Sequence, residues 1–204
     1  MESDIKHIAI FASGAGSNAK KIIEHFVGHP TIKVSLVVCN KKEAGVLEYA
    51  SNYHVPFLLI DKVNFFSGDG YVSHLKDANI DFIVLAGFLW KIPQALVEAY
   101  PNKIINIHPA LLPNFGGKGM YGANVHEAVI NSGHVKSGIT IHYVDEKYDN
   151  GDVIFQAYCN IDENDNASTL AEKIHLLEHK FFSLVVEKCV VSLGVKIKLS
   201  QDQL

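Results

Sequence analysis

Asn106 and His108 end an apolar stretch, residues 103–108, that is predicted to be a β-strand. Alternate side chains of a strand share a face, so the carboxamide and the imidazole should project together at its carboxyl end. Pro109 biases His108 toward extended geometry and stiffens the exit from the strand. Such a pair is suited to hydrogen bonding and proton transfer. The alternative is a polar pair whose hydrogen bonds are satisfied within the protein.

A third candidate is Asp149, which precedes the turn signal Asn150-Gly151 in an acidic segment, residues 145–152. By default it is an ordinary turn residue. A loop at the sheet edge can instead bring one carboxylate against His108, where it favours the protonated imidazole and sets its orientation. Asp145 competes with Asp149 for that role.

The segment Ser13-Gly14-Ala15-Gly16-Ser17-Asn18 joins a predicted strand to a predicted helix. Its glycines permit the close approach of an anion, and the helix N-terminus supplies backbone N–H donors. It lacks the Gly-Lys-Ser/Thr ending of a P-loop and the third glycine of a dinucleotide fingerprint. We interpret it as a site for one phosphate, with a plain tight turn as the alternative.

The run His175-Leu176-Leu177-Glu178-His179 has the His-x-x-Glu-His spacing of one class of zinc peptidases. Two histidines at i and i+4 share a helix face, which suits a metal. No third ligand is identifiable and short patterns recur by chance, so no metal is predicted. The favoured interpretation has Glu178 facing a ligand cleft while the histidines cover the flank of the helix.

All 18 basic residues of the 204-residue chain are lysines, and the net charge is −4. This balance argues against nucleic-acid binding, and any anion must be held by lysines, backbone N–H groups or helix N-termini. Residues 1–4 lack the features of a signal peptide, and no apolar run reaches the roughly 20 residues that cross a bilayer, so a cytoplasmic location is expected. Buried thiols are expected at Cys39, Cys159 and Cys189.

Near-continuous apolar strands alternate with helices, which indicates an α/β fold with a Rossmann-like, doubly wound, mostly parallel sheet. Strands are predicted over residues 7–11, 32–38, 56–60, 81–86 and 103–108, with an antiparallel C-terminal pair over 138–144 and 153–157. Helices are predicted over residues 18–27, 45–52, 71–78 and 123–131, and from Pro93. A loop is predicted over residues 65–70, and a long C-terminal helix, capped by Ser168 or Thr169, to about residue 193. Ligands of such sheets bind beyond the carboxyl ends of the strands.

Four segments, residues 13–18, 85–88, 106–113 and 140–151, resemble in type and order the motifs of the phosphoribosylglycinamide formyltransferase family, folate-dependent enzymes of purine synthesis. The resemblance spans essentially the whole chain. It implies a single domain, residues 1–204, with a phosphate- and ribonucleotide-binding half (1–100) and a catalytic and folate-binding half (101–204). It further implies metal-independent formyl transfer from 10-formyltetrahydrofolate to 5-phosphoribosylglycinamide by a monomer or homodimer with no nucleic-acid or membrane partner.

The same resemblance implies roles for individual residues. The catalytic residues would be Asn106, His108 and Asp149. The ribonucleotide would contact Gly16, Ser17, Asn18, His175, Leu176, Leu177 and Glu178. The folate would contact Leu89, Trp90, Lys91, Ile92, Asn106, Asp145, Glu146, Lys147, Tyr148 and Asp149.

The chain departs from the family pattern in two places. The family often has an arginine where Trp90 stands and another near residues 65–67, so here Lys91 or another lysine must serve the folate glutamate. The loop over residues 115–122 is richer in glycine than the common form, and its Lys118 either reaches a ligand or is solvated.

Three related activities and one non-enzymatic role are alternatives. Formyltetrahydrofolate hydrolase usually carries an N-terminal regulatory domain, and methionyl-tRNA formyltransferase a C-terminal RNA-binding domain; neither is expected here. A sugar-nucleotide formyltransferase is disfavoured by the Gly-Ser-Asn turn at residues 16–18. A non-catalytic folate- or nucleotide-binding module is disfavoured because Asn106, His108 and Asp149 are all present.

Overall fold

The computed structural model describes residues 5–204 and is built around a seven-stranded sheet with the order β3-β2-β1-β4-β5-β6-β7. β1 to β5 pair in parallel, whereas β6 runs antiparallel to β5, and β7 antiparallel to β6. The strands are β1 (Lys6–Ala12), β2 (Ile32–Cys39), β3 (Phe57–Leu59), β4 (Phe82–Leu85), β5 (Ile104–His108), β6 (Lys136–Tyr143) and β7 (Val153–Asn160). The predicted fold class is confirmed. The prediction about a signal peptide concerns residues 1–4, which lie outside the described part.

Helices cover both faces of the sheet, so the strands are apolar on both sides. In β1, Ile8 and Ile10 join one buried cluster while Ala9 and Phe11 join the other. This two-sided burial explains the continuous apolar runs in the sequence. The helices are α1 (Ser17–Phe26), α2 (Val46–Asn52), α3 (Lys62–Ser67), α4 (Val72–Asp77), α5 (Gln94–Ala99), α6 (Ala123–Asn131) and α7 (Ala167–Val191).

The loop predicted over residues 65–70 is wrong for its first half, which belongs to α3. Asp61 caps this helix: its side chain accepts a hydrogen bond from the Asn64 N–H at 2.9 Å. Phe65 is fully buried between the sheet and the helix layer. A short polar cap and one buried ring therefore suffice to form a helix too short to show a clear apolar period.

The cap predicted for the long helix is also corrected. Asn166, rather than Ser168 or Thr169, is the N-cap of α7, and its side chain accepts hydrogen bonds from the N–H groups of both those residues. The Thr169 hydroxyl accepts in turn from the Asn166 N–H, which completes a capping box. All three residue types cap helices well, so local preference alone did not distinguish them.

Two further sequence predictions concern the cysteines and membrane-spanning helices. Cys39 and Cys189 are buried free thiols as expected, but Cys159 is only half-buried. Among residues 5–204, none of the helices combines the length and hydrophobicity that crossing a bilayer requires.

The segment after α7 folds back along the antiparallel part of the sheet. The Tyr143 hydroxyl donates to the Val195 carbonyl and accepts from the Ile197 N–H. The Leu199 N–H then donates to the Ile154 carbonyl of β7 at 2.7 Å. The segment is thereby fixed to the last two strands.

We expect Asn166→Ala to lower the free energy of unfolding by about 1 kcal/mol, because two N–H groups of the first turn of α7 lose their acceptor. Chemical denaturation measures this change. The control is Ser168→Ala in the same turn, which removes an exposed hydroxyl and should change stability by less than about 0.5 kcal/mol. A larger loss for Ser168→Ala than for Asn166→Ala would contradict the cap assignment.

Candidate active site

A cavity of about 690 Å³ opens at the carboxyl ends of β1, β4 and β5. This is where ligands bind in sheets of this kind, and the volume suits small molecules. The turn after β1 forms one wall, and the segment after β4 forms another. Asn106 and His108 lie at its floor, and Asp149, His175 and Glu178 complete the lining. Both sequence halves therefore contribute to one site.

The antiparallel pairing of β5 with β6 determines which side chains meet on the floor. Asn106 lies opposite His142 and His108 lies opposite Thr140 in the register of the two strands. The Thr140 hydroxyl donates to the Ala110 carbonyl at 2.7 Å and accepts from the Leu112 N–H at 2.9 Å. The chain after His108 is thus held by a buried threonine as well as by its prolines.

His142 sets the orientation of the Asn106 side chain. The Nδ1 of His142 lies 2.8 Å from the Tyr143 carbonyl, which can only accept, so Nδ1 carries a proton. With the proton on Nδ1, Nε2 can accept, and Asn106 Nδ2 donates to it at 3.1 Å. An amide nitrogen has two N–H bonds. The second remains available on the side of the cavity.

His108 is held from both sides. Its Nε2 donates to the Phe115 carbonyl at 2.8 Å, and its Nδ1 lies 3.6 Å from Asp149 Oδ2. Burial lowers the pKa of His108 below its ordinary value, although the Asp149 charge and the Phe115 carbonyl act in the opposite direction. Asp149 therefore favours the protonated imidazole as expected, but in the ligand-free protein burial prevails and the ring is neutral at pH 7.

Asp149, not Asp145, is the carboxylate that faces His108. Its Oδ1 lies 3.6 Å from His142 Nε2, and its Oδ2 accepts the Gly117 N–H at 2.8 Å. Burial alone would raise the pKa of Asp149, but the nearby imidazoles of His142 and His108 and the Gly117 N–H together lower it. The competitor Asp145 instead accepts from the Lys147 N–H and the Asn150 side chain, and so shapes the loop.

The glycine-rich turn, residues 13–18, packs closely against the start of α2. Gly16 has a φ of 81°, and a Cβ there would lie 2.7 Å from the backbone of Val46. α1 begins immediately afterwards, at Ser17, so its first N–H groups point to the cavity end of the sheet. The Asn18 side chain does not point freely into the cavity: its Nδ2 donates to Glu178 Oε2 at 2.8 Å. Residues predicted for the phosphate and for the ribose are thus joined.

Residues 175–179 divide between cavity, core and solvent. Glu178 is buried and lines the cavity, and its pKa is raised by burial, with Asn18 and His175 opposing. His175 also lines the cavity instead of merely covering the helix flank. Leu176 is 70% exposed, Leu177 packs against the core, and neither lines the cavity. Within the described residues, no cluster of three His, Cys, Asp or Glu could hold a metal.

The predicted folate-facing segments line the other end of the cavity. Leu89, Trp90, Lys91 and Ile92 all contribute, and the Leu89 N–H donates to the Ser13 hydroxyl at 2.9 Å. The Trp90 ring packs against three aromatic neighbours, Phe65 at 5.6 Å, Phe66 at 5.7 Å and Phe88 at 6.2 Å between centroids. From the loop after β6 the lining residues are Val144, Asp145, Lys147, Tyr148 and Asp149, without Glu146. Lys118 lines the cavity as well.

Sequence reasoning missed His142 and His126, which both line the cavity. His142 lies two residues after Thr140 in a predicted strand, so alternation would have placed both on one face. The sequence does not show which residues of β5 lie opposite Thr140 and His142. His126 lies on α6 among apolar residues, and one histidine among 11 carries no signal of its own.

Fold and site together fit a formyl transferase, and the chain matches the formyl transferase family over residues 6–186. The enzyme named phosphoribosylglycinamide formyltransferase from Bacillus subtilis is 35% identical over 189 residues, covering 90% of this chain and 94% of that protein. The chain belongs to the phosphoribosylglycinamide formyltransferase family, which confirms the resemblance.

Further similarities agree with this assignment. The chloroplastic phosphoribosylglycinamide formyltransferase of Arabidopsis thaliana is 44% identical over 187 residues, which are 89% of this chain and 64% of that protein. The chain spans only 64% and 60% of the two plant relatives. The crystal structure of the phosphoribosylglycinamide formyltransferase from Bacillus halodurans is 36% identical, with a TM-score of 0.80 and coverage of 90% of this chain and 94% of that one.

We expect Asp149→Asn to lower the pKa of His108 further, because the carboxylate is the main group that opposes the effect of burial. The substitution keeps an oxygen that accepts the Gly117 N–H. NMR titration of the imidazole measures the change. Asp152→Asn, at an exposed carboxylate paired with Lys196, is the control and should leave the His108 titration unchanged. An unchanged or raised His108 pKa in Asp149→Asn would contradict the interaction.

Proposed function

We propose that the protein transfers the formyl group of 10-formyltetrahydrofolate to the amine of 5-phosphoribosylglycinamide, a step of purine (IMP) synthesis. The observation that carries the proposal is one cavity that Asn106, His108 and Asp149 share with a phosphate-type helix N-terminus and the segment after β4. The family membership of the chain supports the same reaction. Both substrates are small molecules.

The ribonucleotide would lie along the β1 and α7 side of the cavity. The N–H groups of Gly16, Ser17 and Asn18 at the start of α1 hold its phosphate, since a helix N-terminus favours an anion. Glu178, joined to Asn18, binds the ribose or the amine, and His175 lies beside it. No arginine is needed for this arrangement.

The folate would enter from the segment after β4. In the part of the chain that the structure describes, the N–H groups of Trp90, Lys91 and Ile92 donate to no backbone carbonyl, so they are free for the polar edge of a pterin. The backbone of residues 145–149 faces them across the cavity. Lys91, exposed at the rim, is the cation placed to meet the glutamate tail.

The floor residues supply what formyl transfer needs. When the amine attacks the formyl carbon, the carbonyl oxygen gains negative charge, and the free N–H of Asn106 stabilises it. The amine then loses a proton and the departing folate nitrogen gains one. His108 relays this proton, and Asp149, 3.6 Å from Nδ1, stabilises the imidazolium that forms during transfer. The 3.6 Å gap is too long for a direct hydrogen bond and suits a bridging water.

Formyl release from 10-formyltetrahydrofolate, measured with and without 5-phosphoribosylglycinamide, tests the proposed reaction. We expect release only with the ribonucleotide, and formylglycinamide ribonucleotide as the product. Release at an equal rate without the ribonucleotide would indicate a hydrolase and contradict the proposal. Cytoplasmic location, the division into halves and a monomeric or homodimeric state stay predictions.

His108→Ala should reduce kcat by about 10²–10⁴-fold, because the proton relay is removed. Binding of the ribonucleotide, measured by calorimetry, should remain, since its phosphate is held elsewhere. His74→Ala, at an exposed histidine on α4 that does not line the cavity, is the matched control and should retain full turnover. Unchanged turnover in His108→Ala would exclude the assigned role.

A further inference from the structure

His126 is a buried polar residue on an apolar helix face. It lies on α6 beside Val125 and one turn before Val129, both of which are fully buried, and it is itself 5% exposed. Because His126 lines the cavity, its small exposed part opens there. None of the roles derived above uses it.

The Nδ1 atom of His126 is buried and has no hydrogen-bond partner among residues 5–204. An enclosed polar atom without a partner destabilises the fold, so a group of this kind calls for an explanation. Two other unpartnered atoms of the same kind occur on the ribonucleotide side of the molecule, Asn18 Oδ1 and His179 Nε2. The first belongs to a residue that also lines the cavity.

The protonation of the ring follows from its surroundings. Burial lowers the pKa of His126, and the neighbouring His175 and His108 lower it further, so the imidazole is neutral. An enclosed N–H without an acceptor is rarer in proteins than an enclosed lone pair without a donor. The proton therefore belongs on Nε2, and the ring edge at the cavity presents one N–H donor.

The same neighbours show where along the cavity this donor lies. His108 marks the end at which the amine reacts, whereas His175, next to Glu178, marks the ribose end. α6, which carries His126, packs against α7, which carries His175 and Glu178, and His126 lines the same cavity as His108. His126 therefore faces the middle of a ligand that spans the two ends. In 5-phosphoribosylglycinamide the middle is the amide that links the sugar to the aminomethyl group.

On the basis of the proposed function, we propose that His126 is a further substrate-binding residue whose Nε2–H donates to the amide carbonyl oxygen of the ribonucleotide. The contact fixes the amine at a defined distance from the formyl carbon. It also distinguishes this substrate from phosphorylated sugars that lack the amide, because such ligands leave the buried donor without an acceptor.

Steady-state kinetics of three variants test the proposal. His126→Leu keeps the approximate volume and removes the donor, and we expect the KM for the ribonucleotide to rise about 10-fold or more while the KM for the folate changes less than about 2-fold. His126→Gln carries an N–H near the place of Nε2 and should recover most of the affinity. His126→Asn is too short to do so and should resemble His126→Leu.

Two controls are included. One distinguishes a loss of binding from a loss of folding, and the other distinguishes recognition of the amide from recognition of the sugar phosphate. Thermal unfolding of ligand-free His126→Leu should occur at or above the wild-type temperature, since an unpartnered polar atom is removed. Ribose 5-phosphate, which lacks the amide, should inhibit wild type and His126→Leu equally. If His126→Leu does not fold, the difference between Gln and Asn still decides the matter.

Specific results would overturn the inference. They are an unchanged KM for the ribonucleotide in His126→Leu, equal affinities of the Gln and Asn variants, or a weaker ribose 5-phosphate inhibition that matches the change in KM. Wild-type protein that does not formylate the ribonucleotide would instead contradict the proposed function. The two failures are therefore distinguishable.

Discussion

A single buried carboxylate connects the parts of the site that are distant in sequence. Asp149, whose side chain is 11% exposed, lies 3.6 Å from a nitrogen of His108 and 3.6 Å from one of His142, and accepts the Gly117 N–H. Charges in so enclosed a setting are weakly screened. Strands β5 and β6 and the loop over residues 115–122 therefore all contact the Asp149 carboxylate, and the geometry of each depends on the other two.

The sheet supplies the distances on which two-substrate chemistry depends. The phosphate-type turn follows β1 and the catalytic pair ends β5, with β4 between them. Neighbouring strands are about 4.8 Å apart, so the two features are separated by about 10 Å. This matches a ligand with an anion at one end and a nucleophile at the other. The parallel strands thus position the two ends of the ligand, and the antiparallel β6, on the far side of β5, adds His142 beside Asn106.

The sequence predicted well what depends on local pattern. Alternation in one strand placed Asn106 and His108 on one face, and two-sided apolar runs predicted the parallel sheet. It did not predict what depends on pairing between distant segments: the register that places His142 opposite Asn106, or the hydrogen bond from Asn18 to Glu178. It also did not predict that burial outweighs Asp149 in setting the pKa of His108, since that balance depends on the packed surroundings.

The segment that folds back after α7 has a consequence for contacts between molecules. A sheet that does not close has two edges whose unpaired N–H and C=O groups invite strands of other chains. At one edge, the Leu199 N–H occupies the outward carbonyl of Ile154 in β7. At the other, β3 is only three residues long. The start of the β7 edge is thereby covered and the β3 edge is short, which limits the pairing of both edges with strands of other chains.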